Sequence, residues 1–318
     1  SCAIADVRAD RATLWSPTQT SFLTRGSVAT LLGMQPSQVR LIWTEGSGCY
    51  GQNGADDVTA DAALCSQLAG KPVRVQWSRR DEHLWEPKGP AMTMTVRGAL
   101  DAAGNVAAWD FVVYSPNHAL RPFGGAAGNL LAGEEQGMSK RFIQAGADRN
   151  ARHNYTFPNS RVTLQLLSGS PIRCSSIRGL GSPQNTFANE SFIDELAALA
   201  GADPLEFRIR HLRDERAIHV LREVEQLAKW QRRPSAQRPD GRGRGVAFAQ
   251  YDNNAAYVAM VVDVRVDADA RVRVERVAVA HDCGLIVNPD GVRNQIEGNV
   301  VQTLSRALIE DIRYDRRG

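Results

Sequence analysis

Apolar and polar residues follow two different periods along the first half of this chain. Apolar residues recur at helical spacing over 24–33 and 58–68, and the second segment carries one stripe of Val58, Ala62, Cys65 and Ala69. Apolar or alternating runs predict strands at 39–43, 73–77, 92–96 and 106–114. Residues 120–150 are rich in Gly and Ala without a clear period, so we expect a long surface loop with broken helix.

The second half opens at 161–164 and predicts helices, a hairpin and a final helix. The first helix places Phe192, Leu196 and Leu199 on one face. The next begins with Asp203 as N-cap and Pro204 in its first turn, and buries Leu205, Ile209 and Leu212. A third helix at 217–230 precedes a polar linker at 232–244. The hairpin pairs 262–266 with 272–274, and the final helix carries Val292, Ile296, Val300, Leu304 and Leu308.

The elements come in blocks and not in strict strand–helix alternation, which favours an α+β fold of mixed sheets with flanking helices. A chain of 318 residues can build two lobes, and we place them at 1–160 and 161–318. The hydrophobic share of 43% and the charged share of 23% are those of an ordinary globular protein.

The charge pattern argues against two classes of partner. A net charge of +3 without a basic stripe predicts no nucleic-acid partner. Charge or glycine interrupts every long apolar run, so we expect no transmembrane segment. We therefore expect a soluble chain, and composition leaves its compartment open between the cytoplasm and a periplasmic-facing location.

Cysteine and histidine spacing argues against a metal held by side chains. The five cysteines are scattered without a C-x-x-C pair, and we expect most of them to be small buried residues. The six histidines show no H-x-x-x-H spacing. An iron–sulfur cluster, a structural zinc or a c-type haem within this chain is therefore disfavoured.

A glycine-rich turn at 46–51 follows the predicted strand at 39–43 and permits two interpretations. Its G-x-G-x-x-G spacing is that of a dinucleotide-binding turn, with Arg79 and Arg80 placed for an NADP phosphate. Against this, the helix begins several residues later, and Asp56 and Asp57 in its first turn would repel a pyrophosphate. The turn could instead be one of several separated loops around a large cofactor.

Further polar clusters lie beside glycines at helix entrances. They occur at 18–20, 175–181, 281–284, 288–289 and 294–298. Glycines let a backbone approach a ligand closely, and amide side chains supply neutral hydrogen bonds, as a large multidentate ligand requires. Each cluster taken alone is also explained by an ordinary cap or turn.

These clusters, in this order, resemble the molybdopterin-binding large subunit of molybdenum hydroxylases. The resemblance rests on Thr18-Gln19-Thr20, the 46–57 segment, 177–181 before 190–196, and 281–284 before 288–291 and 294–298. It covers nearly the whole chain. The Gly-Cys-Tyr-Gly turn followed by Asn53-Gly54-Ala55-Asp56-Asp57 is similar to the isoquinoline 1-oxidoreductase and nicotinate dehydrogenase branch more than to xanthine dehydrogenase itself.

The resemblance implies a molybdenum–molybdopterin cofactor, in bacteria usually the cytosine dinucleotide form, whose pterin dithiolene holds the metal. It implies hydroxylation of an N-heteroaromatic compound or an aldehyde, with electrons passing to iron–sulfur clusters on a small [2Fe–2S] partner subunit.

Carried over position by position, the resemblance assigns roles in cofactor binding and no metal ligand. Gln19 would hydrogen-bond an oxo ligand of molybdenum, and the turn residues Gly48, Cys49, Tyr50 and Gly51 would contact the cofactor. Arg178 and Gly179 would offer backbone N–H groups to the metal's oxygen ligands. The 294–298 segment, with Gln295 and Gly298, would line the pterin.

The chain departs from the family pattern at its end. The family's general-base glutamate, in a Gly-x-Gly-Glu segment, is expected downstream of Gly318, so we assign no catalytic residue here. We expect the chain to be an internal fragment, inactive alone, since it opens without Met on an apolar segment and ends on a strand-like run. The alternatives are a non-catalytic paralogue that keeps the fold, and the NADP-binding protein using Gly46–Gly51.

Overall fold

The computed structural model describes residues 1–51, 56–122, 125–141, 146–232 and 240–314. In these ranges the strands are β1 (Cys2–Val7), β2 (Ala12–Ser16), β3 (Val39–Trp43), β4 (Val73–Gln76), β5 (Thr93–Leu100), β6 (Val106–Pro116), β7 (Ser160–Leu167), β8 (Arg242–Gln250), β9 (Tyr257–Val266) and β10 (Val272–Asp282). The helices are α1 (Ser21–Leu32), α2 (Asp57–Ala69), α3 (Arg79–Trp85), α4 (Leu131–Glu135), α5 (Ser182–Leu199), α6 (Pro204–Arg210), α7 (Glu215–Ala228) and α8 (Pro289–Leu308).

The chain forms two compact units that interleave along the sequence. Unit 1 comprises Ser1–Thr93, Tyr114–Asp148 and Leu164–Gly181. Unit 2 comprises Met94–Val113, Arg149–Thr163 and Ser182–Gly318. The α+β prediction is confirmed, because each unit combines helices with mixed or antiparallel strands. The predicted lobes at 1–160 and 161–318 stay a prediction.

Unit 1 is built on a sheet with strand order β3-β2-β1-β4, against which α1 and α2 pack. The pairs β1–β2 and β1–β4 are antiparallel, whereas β2–β3 is parallel. Alternate residues of β1 and β2 are buried, as expected for strands with one covered face. Small side chains such as Ala5, Ala29 and Ala63 let the helices approach the sheet closely.

This topology overturns the dinucleotide-binding alternative. Strands β3 and β4, which flank the glycine turn and α2 in sequence, occupy opposite edges of the sheet. A dinucleotide-binding unit requires those two strands to be neighbours in a parallel sheet, whereas β2 and β1 separate them here and β1 runs antiparallel to both of its partners. Moreover, α2 begins only at Asp57. The turn at 46–51 therefore has another structural role.

Unit 2 contains an antiparallel sheet of order β10-β9-β8, with α7 packed on β9 and β10. The predicted hairpin is confirmed, and its strands are longer than the sequence indicated. Strand β8 was missed, because its start lies in the polar stretch interpreted as a linker; residues 233–239 of that linker lie outside the described residues. A further sheet has the order β5-β6-β7.

A buried ion pair organises the interior of unit 2. Arg208 is fully buried; its Nε donates to Glu190 Oε2 at 2.8 Å and its Nη1 to Asp194 Oδ1 at 2.6 Å. Glu190 also accepts hydrogen bonds from the Tyr155 hydroxyl and the Phe248 N–H. Burial, followed by the charge of Glu190, raises the pKa of Tyr155. The carboxylate of Glu190 is thus compensated by a full positive charge and two further donors.

Several burial predictions were wrong for one reason, namely that the covered face is set by tertiary neighbours. On α2 the predicted stripe is half right: Val58 and Ala62 are buried, whereas Cys65 and Ala69 are exposed, and Ala60, Ala63 and Ser66 are buried in addition. On α5, Leu199 is 76% exposed. The described cysteines are all half-buried or exposed. Much of the 120–150 stretch is interior and not surface, including Leu120, Ala127, Asn129, Leu130 and Ala147; its residues 123–124 and 142–145 lie outside the described ranges.

Candidate functional site

The glycine turn after β3 lies in close contact with the backbone at 176–177. Gly51 has a φ of +93°, and a Cβ added there would lie 2.2 Å from the Ser176 carbonyl oxygen. A Cβ added to Gly48 would lie 2.6 Å from the Tyr50 ring. Side chains at these two positions would collide with their neighbours, so the turn requires glycine for close approach.

Arg178 fastens this turn by two contacts. Its backbone N–H donates to the Tyr50 carbonyl oxygen at 2.8 Å, and its guanidinium carbon lies 5.3 Å from the Tyr50 ring centroid, a cation–π distance. This arrangement differs from the role inferred from the resemblance, in which the Arg178 N–H faces oxygen ligands of a metal. In the structure that N–H is engaged with the turn. Gly179 follows with a φ of +90°.

Gln19 and Cys49 line one open cleft of about 640 Å³ in unit 1. We name it the Gln19 cleft; it is lined by Pro17, Thr18, Gln19, Thr20, Ser21, Trp43, Gly46, Ser47, Cys49 and Arg121. The volume lies in the usual range for small-molecule sites. Burial raises the pKa of the Cys49 thiol, so the thiol stays neutral at pH 7. The cleft therefore presents hydroxyl, amide and thiol groups and one guanidinium.

Asp56 holds residues 17–20, the loop between β2 and α1 that we name the Gln19 loop, by hydrogen bonds. Its Oδ2 accepts hydrogen bonds from the Thr18 hydroxyl at 2.7 Å and the Thr24 hydroxyl at 2.8 Å, and Thr18 Oγ1 accepts from the Thr20 N–H at 3.0 Å. The loop is thus fixed on both sides of Gln19. Asp56 has a positive φ of 61° and makes no side-chain cap on α2, which differs from the helix-dipole role considered from the sequence.

The surroundings of Asp56 disfavour its ionised form. Burial, only partly offset by the Thr18 and Thr24 hydroxyls, raises the pKa of Asp56 to about 6. The charge of Asp57 adds to this rise, and that of Arg121 opposes it. A carboxyl group with such a pKa beside a cleft is a common feature of functional sites.

Asp57, the next residue, is compensated differently. Its carboxylate binds both terminal nitrogens of Arg173, at 2.5 and 2.9 Å, and accepts from the Leu131 N–H at 2.7 Å. Arg173 Nη2 also donates to the Asn129 carbonyl oxygen at 3.0 Å. The two adjacent aspartates therefore tie the start of α2 to three segments, namely 18–24, 129–131 and 173.

The chain between β6 and α4 completes the surroundings of the cleft and was missed by sequence reasoning. The Ser175 hydroxyl donates to the Leu120 carbonyl oxygen at 2.7 Å, and the Ser176 hydroxyl to the His118 carbonyl oxygen at 2.6 Å. Burial lowers the pKa of His118 to about 4, so the ring is neutral. These bonds position Arg121, whose Nη1 donates to Gln19 Oε1 at 2.8 Å. A Gly/Ala-rich stretch without periodicity gave no signal for this residue.

Comparison with known protein families agrees with this geometry. Two models, each described as a molybdopterin cofactor-binding domain, match residues 1–212 and 188–318. The chain belongs to the molybdopterin cofactor-binding domain family. The family prediction made from the glycine turn, the Thr-Gln-Thr segment and the helix entrances is confirmed.

Two relatives fall in the predicted branch of this family. A nicotinate dehydrogenase subunit from Pseudomonas putida is 42% identical over 327 residues, covering 99% of this chain and 27% of the relative. The beta subunit of isoquinoline 1-oxidoreductase from Brevundimonas diminuta is 30% identical over 302 residues, covering 94% of this chain and 37% of the relative. The chain thus spans about a quarter to a little over a third of the length of these relatives.

Solved structures show the same fold at low sequence identity. The aldehyde oxidoreductase of Desulfovibrio gigas matches with a TM-score of 0.60 and 19% identity, over 86% of this chain and 30% of that one. Quinoline 2-oxidoreductase of Pseudomonas putida matches with a TM-score of 0.57 and 16% identity, over 86% of this chain and 38% of that one. At these identities the likeness concerns the fold alone.

The remaining predicted cofactor residues of this molybdopterin-domain chain lie in unit 2. Gln295 and Gly298 are exposed on α8, whose N-cap Asn288 accepts a hydrogen bond from the Gly291 N–H at 2.9 Å. A Cβ added to Gly298 would meet nothing within 4 Å, so packing within the described chain does not require this glycine. The role of both residues stays a prediction.

The residues around the Gln19 cleft fit an anionic, oxygen-rich cofactor. The described lining offers neutral donors from hydroxyl and amide groups and one cation, and contains no carboxylate. The glycines at 48 and 51 are required by packing against Tyr50 and the 176–177 backbone of the chain itself. Among the described residues no cluster of three or more His, Cys, Asp or Glu could hold a metal ion directly. In that same part of the chain, no helix combines the length and apolar character needed to cross a bilayer.

Proposed function

We propose that this chain forms part of the cofactor-binding region of a molybdenum hydroxylase large subunit. The observation that carries the proposal is the meeting, within unit 1, of the Gln19 loop, the glycine turn and the 176–179 segment in a chain of the molybdopterin-binding family. The chain spans 27% of one relative and 37% of another, so the activity belongs to the whole subunit.

When bound, the cofactor supplies the two-electron oxidation that places a water-derived oxygen on an electrophilic carbon. The residues of this chain bind and orient it. The Gln19 amide would donate to cofactor oxygen, and it is held in place by the Thr18–Asp56 hydrogen bond on one side and Arg121 on the other. Tyr50, held by Arg178, covers the glycine turn, and Gly51 and Gly179 keep the backbone close to the ligand. Neutral donors stabilise negative oxygens without adding a group that titrates near pH 7.

The proposal extends to the cofactor form, the partner and the substrate. The names of the two relatives, a nicotinate dehydrogenase and an isoquinoline oxidoreductase, support an N-heteroaromatic substrate such as nicotinate over an aldehyde. We assign the cytosine dinucleotide form to the cofactor and a small [2Fe–2S] subunit as electron acceptor. Gln295 and Gly298 would line the pterin, and the general-base glutamate is expected beyond Gly318.

The test is the molybdenum content and turnover of the full-length subunit co-expressed with its partner. Wild type should carry molybdenum and oxidise an N-heteroaromatic substrate. Gln19→Ala should lower kcat about 100-fold, the effect of losing one positioned donor. Gln136→Ala, an exposed glutamine of unit 1, is the matched control and should behave as wild type. A folded wild type without molybdenum and without turnover would overturn the proposal and identify the non-catalytic paralogue.

A further inference from the structure

Arg121 is half-buried and has no carboxylate partner among the described residues, in contrast to Arg173, Arg208 and Arg244. Arg173 binds Asp57, Arg208 binds Glu190, and Arg244 binds Asp263. Arg121 instead donates one hydrogen bond, from Nη1 to the amide oxygen of Gln19. A guanidinium has five N–H donors in a planar fork, so within the described part of the chain this contact leaves most of its donor capacity for another acceptor.

The charge of the Gln19 cleft has one sign. Of the described residues that line the cleft, Arg121 alone carries a charge at neutral pH. Its charge acts on Cys49 and on Asp56, lowering the pKa of each against the larger effect of burial. Asp56 is turned away into its hydrogen bonds with Thr18 and Thr24 and does not line the cleft. Among the lining residues an anionic ligand therefore meets one positive charge and no carboxylate, although the charges of Asp56 and Glu86, outside the lining, also act on Cys49.

The contact with Arg121 also fixes the orientation of the Gln19 amide. Arginine can only donate hydrogen bonds, so the atom that it touches must be the amide oxygen. The Gln19 NH2 group is consequently the end available as a donor. Both side chains then present N–H groups, which suits acceptor oxygens and not donors.

One residue that lines the cleft is aromatic. Trp43, at the end of β3, lines the cleft and is 58% exposed. A cleft lined by both an exposed indole and a guanidinium offers a flat apolar face and a cation, which suits a planar ring bearing an anionic substituent.

We propose that Arg121 makes the Gln19 cleft selective for a ligand with an anionic oxygen group, a carboxylate or a phosphate, and positions the Gln19 amide toward it. The inference rests on the proposed function. It deepens that function by naming the chemistry recognised: either the carboxylate of an N-heteroaromatic acid such as nicotinate, or the phosphate of the cofactor. Arg121 acts here by binding and positioning and takes no part in the chemical step.

The experiment begins with binding, which does not depend on turnover. The full-length subunit with its partner is titrated by calorimetry with nicotinate and, in parallel, with the uncharged isostere nicotinamide and with inorganic phosphate. The variants are Arg121→Gln, which removes the charge, and Arg121→Lys, which keeps it. Arg40→Gln, exposed on β3 and outside the lining residues, is the matched control for loss of one positive charge. Molybdenum content and the thermal midpoint are measured on every variant.

If the anion is the substrate carboxylate, Arg121→Gln weakens nicotinate binding by about 10- to 100-fold, as expected for a hydrogen bond to a charged group, and leaves nicotinamide within twofold. Arg121→Gln should also raise the KM for nicotinate while its molybdenum content stays unchanged. Arg121→Lys should recover part of the nicotinate affinity. If the anion is the cofactor phosphate, Arg121→Gln instead lowers molybdenum content severalfold and weakens phosphate binding, with both substrates affected equally.

The proposal is overturned if wild type binds none of these anions and Arg121→Gln retains its molybdenum, or if Arg121→Gln and Arg40→Gln behave alike in both measurements. A loss of the proposed function is recognised separately. In that case wild type carries no molybdenum, and the calorimetric comparison of nicotinate, nicotinamide and phosphate still decides whether Arg121 binds an anion.

Discussion

Glu190 in unit 2 and Asp56 in unit 1 are both buried acids, and they are compensated in different ways. In unit 2, Glu190 is 6% exposed and faces the guanidinium of Arg208. In unit 1, Asp56 is 3% exposed and is held by two threonine hydroxyls. In the first arrangement a guanidinium charge compensates the carboxylate charge. In the second, Asp56 has only neutral hydrogen-bond donors among the described residues, and burial disfavours its ionised form.

The difference suggests separate roles: Glu190 supports the fold of unit 2, and Asp56 supports the candidate site of unit 1. The Glu190–Arg208 pair also joins Tyr155 and Phe248, and its position in α5 and α6 is one of structural support. The Asp56 cluster lies directly beneath the loop that presents Gln19 to the cleft. Asp56 is a buried carboxyl group whose ionised form is disfavoured, and it lies next to a candidate ligand site. Such a group is expected where function constrains the sequence.

The largest expected effect comes from breaking the pair in unit 2. Arg208→Met should lower the free energy of unfolding by about 3–5 kcal/mol, because Glu190 would remain buried without its counter-charge. Urea denaturation followed by circular dichroism measures it. Arg161→Met, which breaks an exposed pair with Asp110, is the control and should have a small fraction of that effect. Equal losses in the two variants would contradict the structural role of Arg208.

Replacing Asp56 by a neutral residue should raise the free energy of unfolding at neutral pH, in contrast to the loss expected for Arg208→Met. The pKa of Asp56 is raised from 3.8 to about 6, so the folded state holds this proton more tightly than the unfolded chain does. Stability from this group is therefore present below about pH 4 and falls as pH rises to about 6, by about 3 kcal/mol. Asp56→Asn should remove that fall and be the more stable protein at pH 7.

The measurement is the unfolding free energy of wild type and Asp56→Asn at several pH values from 4 to 7.5. Asp57→Asn is the neighbouring control; it should lose about 3 kcal/mol at pH 7, because Arg173 would then remain without its carboxylate. A wild-type minus Asp56→Asn difference that stays constant with pH would show that Asp56 is not the titrating group.

Loss of the Thr18 hydroxyl should have a smaller effect. Thr18→Val removes one donor to Asp56 and the acceptor for the Thr20 N–H, and should cost about 1–2 kcal/mol. It should also raise the pKa of Asp56 further, because a hydrogen bond to the charged form is lost. Thr20→Val, whose hydroxyl lies 3.4 Å from that of Thr24, is the control and should change little. If the unfolding free energies of the two variants depend on pH in the same way, the Thr18 hydrogen bonds do not hold the Gln19 loop.

The smallest expected effect on stability is that of Gln19 itself. Its side chain is exposed and makes one described contact, with Arg121, so Gln19→Ala should change the unfolding free energy by less than about 0.5 kcal/mol. The 100-fold loss of kcat expected under the proposed function would then be separate from folding. A large loss of stability in this variant would mean that Gln19 supports the fold and not a ligand.

Sequence signals that act over a few residues predicted the elements that depend on caps and turns. The Asp203–Pro204 helix start, the 262–274 hairpin and the helix of α8 are all confirmed, since capping and turn chemistry act over a few residues. Strands β1 and β2 were not predicted; they are short and rich in small residues, and their burial comes from α1 and α2.

The same limit applies to the site. The order of Gln19, the glycine turn and the 177–181 segment carried a family resemblance, so these residues were found. Arg121 was missed, because its position depends on Ser175 and Ser176 holding the preceding backbone from a distant part of the chain. Asp56 was interpreted as a helix-dipole residue, and its bonds to Thr18 and Thr24 could be seen only in the fold.

The central claim is that the Gln19 loop and the glycine turn bind the cofactor of a molybdenum hydroxylase. The most direct measurement is a crystal structure of the full-length subunit with data collected at the molybdenum absorption edge. We predict one anomalous peak beside the Gln19 amide, with pterin density in contact with the turn at 46–51. A molybdenum peak remote from the Gln19 cleft, or a folded subunit without molybdenum, would contradict the account.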